Sequence, residues 1–182
     1  KTKIYFGVWC LDDFKNLETY GGEVLEYHWD NRKKAFEDYA ELSIIYEKAL
    51  FKIAKELNLL HGTNFSLRYW RIIIGPWLGY FIHILFDRSE TIHRAVSRLG
   101  ESEKAFYEKI NFHNFVCNDM KEFVKVIDTD EWNQYIFQDF MEISHAPVKH
   151  IKTKKYVKIK PKTKKRKFFW LKKYINQLSN FF

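Results

Sequence analysis

Two groups of residues have side chains and spacing suited to chemistry. In the first, Arg68 and Arg71 follow His61 and Asn64, and the pattern predicts a loop that leads into a helix. Residues three apart share a helix face, and guanidinium groups bind carboxylates or phosphates through paired hydrogen bonds. The pattern predicts an anion site for a sugar acid or a nucleotide phosphate. The alternative is that both arginines form salt bridges to carboxylates of the same chain.

The second group lies in the segment YHWDNR, residues 27–32. His28 is a candidate general base with Asp30 to orient it, at a point where a predicted strand leads into a predicted helix. In open α/β sheets, ligands bind beyond the carboxyl ends of the strands. The alternative is that Asp30 caps the helix and His28 is an ordinary strand residue.

Trp70 and Trp77 are candidate stacking platforms for a sugar ring, although core packing is the commoner role of such residues. The histidines show no metal-ligand spacing, so no metal is expected. These tryptophans lie in or beside a run of 15 residues without formal charge, Ile72 to Phe86. A bilayer span needs about 20 apolar residues, so the run predicts a helix buried on nearly all sides. Gly75-Pro76 within it predicts a break or bend.

The surrounding elements indicate a helix-rich α/β domain. Strands are predicted within residues 3–10 and 23–29, and a helix from about Asn31 to Leu60, with apolar residues every three or four positions. Asp30 or Asn31 is the expected cap of that helix, and Gly62 its expected end. A mainly α bundle is the alternative, because both strands are short. The helix that holds the uncharged run is predicted to continue as a more exposed helix through 89–98. Short helices are predicted at 121–127 and 131–143, the last capped by Asp128 or Asp130.

The charge distribution divides the chain into a domain at residues 1–147 and a basic, aromatic-containing tail at 148–182. Residues 149–173 contain 13 Lys and Arg, and no acidic residue follows Glu142. The rest of the chain therefore has 18 of the 31 basic residues and all 23 acidic ones, a net charge of −5. Such a tail suits an anionic membrane surface or, less well, nucleic acid, or it is a solvated extension. Cys10 and Cys117 form no CxxC pair, which fits a reducing compartment.

Three segments together resemble a family of bacterial surface-carbohydrate transferases, and a fourth, DEWN at residues 130–133, resembles a further landmark of that family. The three are GVWC at 7–10, YHWDNR at 27–32 and LNLLHGTNFSLRYWRIIIGPWLGYFIHILFDR at 57–88. The resemblance implies the N-terminal, acceptor-side half of a glycosyltransferase-like protein built from two Rossmann-like halves. It implies a sugar or sugar-acid acceptor and a nucleotide-sugar donor held by the other half, with no cofactor bound by this chain.

The resemblance also implies work in cell-surface polysaccharide biosynthesis. It places the chain in the cytoplasm, with peripheral association at the inner face of the membrane. The alternative is a non-enzymatic module that binds nucleic acid or an anionic membrane through its basic tail.

Overall fold

The computed structural model describes residues 4–7, 21–98, 105–108, 115, 117–144 and 148–151. The chain divides into two compact units, with the boundary between Asp87 and Arg88. Four α-helices and four short strands are described, in the order β1 Ile4–Tyr5, β2 Glu23–Val24, α1 Arg32–His61, α2 Leu67–Ser97, β3 Ala105–Glu108, α3 Met120–Val126, α4 Asp130–Ile143 and β4 Val148–Ile151. The fold is therefore helix-rich, and the mainly α alternative fits it.

The two predicted N-terminal strands are present but very short. β1 and β2 pair in parallel, with Ile4 opposite Glu23 and Tyr5 opposite Val24. The expectation of a strand through residues 23–29 is wrong beyond β2, because His28–Asp30 form a single 3-10 turn. The Asp30 backbone N–H donates to the Tyr27 carbonyl at 3.1 Å and closes this turn. Residues 8–10 of the first predicted strand lie outside the described residues.

Local capping chemistry sets both ends of α1 and confirms the predicted helix. Asn31 is the N-cap rather than Asp30, and its Oδ1 accepts from the Lys34 backbone N–H at 3.1 Å. At the other end Gly62 has a left-handed φ of 63°, which glycine adopts without strain. The Thr63 N–H then reaches the Asn58 carbonyl at 2.9 Å, and the Gly62 N–H reaches that of Leu59 at 3.4 Å. This is the Schellman arrangement of a helix end.

The predicted break at Gly75-Pro76 is wrong, because α2 runs as one helix through Pro76, and a bend there stays a prediction. Pro76 is exposed, so water can bond to the carbonyl that loses its partner one turn back. The prediction of burial on nearly all sides is also wrong. Ile72 and Ile73 are 67% and 57% exposed, whereas Leu78 and Ile82 are fully buried. α2 therefore has one covered face and one face open to solvent.

α1 and the first part of α2 form an antiparallel helical hairpin joined by residues 62–66. The order of their contacts shows this, because rising numbers on α2 meet falling numbers on α1. The pairs are Asn58 with Trp70, Glu47 with Arg71, Tyr46 with Gly75, and Tyr39 with His83. The first unit buries mainly aliphatic side chains from both helices, with Leu42, Leu50, Leu78, Ile82 and Leu85 almost completely covered.

The second unit contains the rest of α2, α3, α4 and a second parallel strand pair. β3 and β4 pair from Ala105 opposite Val148 to Glu108 opposite Ile151. Thr129 caps α4 through its Oγ1, which accepts from the Trp132 N–H at 3.3 Å. The predicted caps of α4, Asp128 and Asp130, are therefore wrong, because the threonine hydroxyl stands at the position that reaches the third helical N–H. The tail beyond Ile151 lies outside the described residues.

Among the described helices, none combines the length and the hydropathy that crossing a bilayer requires. This agrees with the shortness of the uncharged run in α2.

Candidate functional site

A solvent-open groove of about 770 Å³ lies between α1 and α2 on the hairpin. This volume is within the usual range of small-molecule sites, about 300–1,000 Å³. One wall comes from each helix, and the lining residues are Tyr39, Ser43, Tyr46 and Glu47 on α1, and Arg71, Gly75, Pro76, Gly79, Tyr80 and His83 on α2.

Helical spacing explains why these residues meet in one groove. Tyr39, Ser43 and Glu47 are four apart on α1, so they form one row along that helix. Gly75, Gly79 and His83 form a matching row on α2. The two glycines leave space that a side chain would otherwise fill, and the Tyr46 hydroxyl uses it. A Cβ at residue 75 would stand 2.6 Å from that hydroxyl oxygen, which is too close.

The groove contains one ion pair. Arg71 Nη2 lies 2.6 Å from Glu47 Oε2, and the two side chains remain 45% and 50% exposed. A pair that is half in water contributes little to stability, so its hydrogen-bonding groups can be shared with a ligand at small cost. Together they offer a planar set of donors beside a carboxylate acceptor.

His83 lines the groove, and the hydrogen bond of its ring to the backbone defines the role of each ring nitrogen. Its Nδ1 lies 2.7 Å from the Gly79 carbonyl oxygen, and a carbonyl only accepts, so in the neutral ring Nδ1 carries the hydrogen. This assignment of the tautomer leaves Nε2 as an acceptor. The ring lies 5.0 Å from the Tyr39 ring, which holds it against the α1 wall. An imidazole in this state can accept the proton of a hydroxyl group.

His28 is buried and does not line the groove. His28 is 4% exposed, and its ring packs 4.8 Å from that of Trp29 and 6.2 Å from that of Phe86. Its Nε2 lies 3.6 Å from Oδ1 of Asp87, a buried carboxylate on α2. Asp30 is exposed in the same 3-10 turn. The carboxylate that the structure puts beside His28 is therefore Asp87, and a catalytic role for His28 with Asp30 stays a prediction.

Of the residues predicted to form the anion site, Arg71 lines the groove. His61, Asn64 and Arg68 are exposed near the turn of the hairpin and do not line it.

The two candidate stacking tryptophans also lie outside the groove lining. Trp70 is 7% exposed, and its Nε1 donates to Asn58 Oδ1 at 3.0 Å. Trp77 stacks on Phe81 with ring centroids 5.0 Å apart. These contacts agree with the packing alternative.

Sequence reasoning missed most of the groove, although a signal was present. Gly75 and Gly79 are separated by three residues, a spacing that lets two helices approach closely. His83 continues the same row, and Glu47 lies on the opposing helix between Tyr46 and Lys48. The pairing of the two rows requires the hairpin, which brings residues 24 to 44 positions apart into one place.

In the second unit, a hydrogen bond links two of the segments that carry the family resemblance, residues 57–88 and 130–133. Arg88 Nε donates to Asn133 Oδ1 at 2.8 Å, and the guanidinium lies 5.9 Å from the centroid of the Phe137 ring. The Asn133 amide in turn donates to the carbonyls of Ile127 and Thr129 at 3.1 and 2.9 Å. Asn133 therefore connects α2, α4 and the turn before α4 through a single side chain.

The helical hairpin and its open groove belong to a helix-rich chain. The model of the LIC12162 family transferase matches residues 1–182 of the chain. The chain therefore belongs to this family of transferases, which confirms the transferase part of the expectation. No curated protein and no solved structure matches it.

Proposed function

We propose that this chain is the N-terminal, acceptor-side domain of a glycosyltransferase-like enzyme of bacterial cell-surface polysaccharide biosynthesis. The groove of the hairpin would bind the sugar or sugar-acid acceptor. Membership of a transferase family supports the reaction class. The parallel pairing of β1 with β2 ahead of a long helix supports a Rossmann-like half of a two-domain protein.

The observation that carries the proposal is the combination of exposed aromatic rings and an ion pair in one groove. Tyr39 and Tyr80 are 49% and 60% exposed, and Arg71 and Glu47 lie in the same groove. A sugar has apolar ring faces and hydroxyl edges, which suit aromatic rings and paired polar groups respectively. A sugar acid adds a carboxylate that Arg71 can bind with two parallel hydrogen bonds.

His83 supplies the base in this proposal. Transfer of a glycosyl group requires that a hydroxyl of the acceptor loses its proton as its oxygen attacks the anomeric carbon. His83 Nε2 accepts that proton, while the bond from the anomeric carbon to the phosphate of the donor breaks and the nucleotide leaves with the electron pair. The Gly79 carbonyl, which already accepts from Nδ1–H, stabilises the imidazolium that forms. The donor is the nucleotide sugar that the family resemblance implies.

The proposed location is the cytoplasmic face of a membrane, with residues 149–173 in contact with anionic lipids. The support is the 13 Lys and Arg of this segment, which no acidic residue interrupts. Each basic residue near an anionic surface contributes on the order of 1 kcal/mol at moderate salt. Binding of nucleic acid by the same segment is the second candidate.

Binding of sugars to the full chain tests the proposal. Titration calorimetry or ligand-observed NMR would compare uronic acids with the matched neutral sugars. We expect the acids to bind more tightly, and Arg71→Ala to weaken them at least about tenfold, or ~1.4 kcal/mol. Lys33→Ala is the matched control, because Lys33 also forms an exposed ion pair on α1 but lies outside the groove. Equal effects of the two variants, or no binding of any sugar, would contradict the groove as the acceptor site.

A further inference from the structure

The groove extends along the hairpin and has different chemistry at its two ends. At one end Arg71 of α2 pairs with Glu47 of α1, and at the other end the His83 ring lies 5.0 Å from that of Tyr39 on α1. All four residues line the same groove. The group that can bind a carboxylate and the group that can accept a proton therefore lie at opposite ends of one site.

Helix geometry gives the distance between these ends. Twelve residues separate Arg71 from His83 on α2, and eight separate Glu47 from Tyr39 on α1. At a rise of about 1.5 Å per residue, these separations are ~18 Å on α2 and ~12 Å on α1. They differ because the Arg71 side chain extends along α2, where its Cγ lies 3.4 Å from the position that a Cβ on Gly75 would take. The two ends are therefore ~12–18 Å apart.

A single sugar unit is too short to reach both ends. A six-membered ring built from single bonds of about 1.5 Å advances by roughly 5 Å from one linkage oxygen to the other. About two to four linked units are therefore needed to contact Arg71 and His83 together. The groove volume of about 770 Å³ agrees with this length, because it lies in the upper part of the usual range of ligand sites, about 300–1,000 Å³.

The part of the groove between its ends is lined by small and aromatic residues. Gly75 and Gly79 follow Arg71 by about one and two helical turns and have no side chain to block the groove. The Tyr46 hydroxyl lies over Gly75, and Tyr80, which is 60% exposed, follows Gly79. Apart from the ion pair, no Asp, Glu, Lys or Arg occurs among the described residues that line the groove. Aromatic rings without charge suit the ring faces of neutral sugar units.

We propose that the groove binds the end of an oligosaccharide chain rather than a single sugar, an inference that rests on the proposed acceptor role of the groove. Arg71 binds the carboxylate of an acidic unit. The hydroxyl that receives the transferred sugar lies at His83 and belongs to a different unit of the same chain, with neutral units on the tyrosine rings. Because the groove is open to solvent, the remainder of the chain can continue out of it.

This arrangement implies an order of reactions. A monosaccharide held by Arg71 alone leaves its hydroxyl groups out of reach of His83 Nε2, so it is bound without being deprotonated there. The productive acceptor already contains the acidic unit. An earlier transfer must therefore have placed a sugar acid in the chain before this domain acts on it.

Two matched series of sugars test the proposal with the full chain. Each series contains methyl glycosides of one to four 1,4-linked units. The acidic series has a single glucuronic acid at its reducing end and glucose elsewhere, and the neutral series has glucose throughout. Calorimetry measures affinity, and the ring signals of His83, assigned by their loss in His83→Gln, report contact at the far end. Glutamine is a good helix former, so this variant should keep the fold.

We expect the affinity of the acidic series to rise at least about tenfold from one unit to four, and to exceed that of the neutral series at each length. The His83 signals should shift with the longer acidic sugars and not with the single unit. Arg71→Ala should weaken binding of every acidic sugar, His83→Gln should weaken only the longer ones, and Lys33→Ala should weaken none.

The proposal is overturned if the single acidic unit binds as tightly as four units, or if it shifts the His83 signals equally. It is also overturned if His83→Gln weakens all lengths alike. In these cases a single unit that still depends on Arg71 leaves the groove as the acceptor site. If no member of either series binds, the acceptor role of the groove is itself contradicted.

Discussion

Arg71 on α2 and Glu47 on α1 form an ion pair across the groove, with Nη2 and Oε2 2.6 Å apart. The partner of this arginine is therefore a carboxylate of the same chain, the alternative that the sequence left open. Both side chains are about half exposed, which keeps the pair in a high-dielectric environment. Loss of one member of a buried ion pair strongly lowers the stability of a protein, but loss of one member of an exposed pair does not.

Arg71→Ala should lower the free energy of unfolding by less than about 1 kcal/mol, and Glu47→Gln should do the same. The effects on binding should have opposite signs. Arg71→Ala removes the group that binds a sugar-acid carboxylate, whereas Glu47→Gln removes the competing internal carboxylate and should tighten sugar-acid binding. Urea denaturation and calorimetry measure both quantities. A loss of several kcal/mol in Arg71→Ala would mean that the pair is structural and not a ligand site.

Asn58→Ala should destabilise the first unit more than any single change to the exposed loop beside it. The substitution leaves the backbone groups of Phe65 and the indole N–H of Trp70 without the partner they have now. An unsatisfied buried group costs about 1–3 kcal/mol, and Trp70 is 7% exposed. Asn64→Ala is the control, because Asn64 is exposed and should change stability by less than about 0.5 kcal/mol. Equal stabilities of the two variants in thermal melts would refute a structural role of Asn58.

Gly75→Ala and Gly79→Ala should differ although both replace a helical glycine. Alanine favours a helix over glycine by about 0.8–1 kcal/mol. At Gly79 the nearest atom to a new Cβ is Tyr46 Cε2 at 4.0 Å, an ordinary contact, so the variant should be more stable. At Gly75 the Cβ would stand 2.6 Å from the Tyr46 hydroxyl, which must move, so most of the gain should be lost. Denaturation curves of the pair measure the difference, and Gly75→Ala should also weaken ligand binding in the groove.

Burial is the main cause that raises the pKa of the Cys117 thiol, and the negative charges of Glu122 and Asp119 add to it. Together they bring this pKa to about 11. The folded state therefore favours the protonated thiol. The contribution to stability is present below the ordinary thiol pKa of about 8.5 and is lost as pH rises through the folded value. At pH 8 iodoacetamide should modify Cys117 at least tenfold more slowly in the native chain than in urea. Kinetics in a Cys10→Ser background measure this, and equal rates would contradict the raised pKa.

Truncation after Ile151 should leave the body folded and weaken binding to anionic vesicles at low salt. The cut is placed there because β4 extends from Val148 to Ile151 and pairs with β3. The removed segment carries most of the basic charge of the tail, and each charge near the surface contributes about 1 kcal/mol. A full-length variant with Lys162, Lys164, Lys165 and Lys167 changed to Gln should show an intermediate effect. If the full chain ignores vesicles yet binds single-stranded nucleic acid with steep salt dependence, the tail is a nucleic-acid element.

Both ends of α1 were predictable from the sequence because capping is local, whereas the caps predicted for α4 were wrong. Asn31 and Gly62 are recognisable from their residue types and their positions beside a periodic segment. The capping hydrogen bonds of α1 join residues at most five positions apart, so no knowledge of the fold is needed. The segments that carry the family resemblance are likewise contiguous.

The groove and the exposed face of α2 were decided by the tertiary structure alone. His28 meets Asp87, and Glu47 meets Arg71, across separations that no helical or strand period encodes. An uncharged run such as Ile72 to Phe86 specifies apolar side chains, but not which of them another element will cover. That depends on which face of α2 packs against α1, and the hairpin leaves Ile72 and Ile73 open while it buries Leu78 and Ile82.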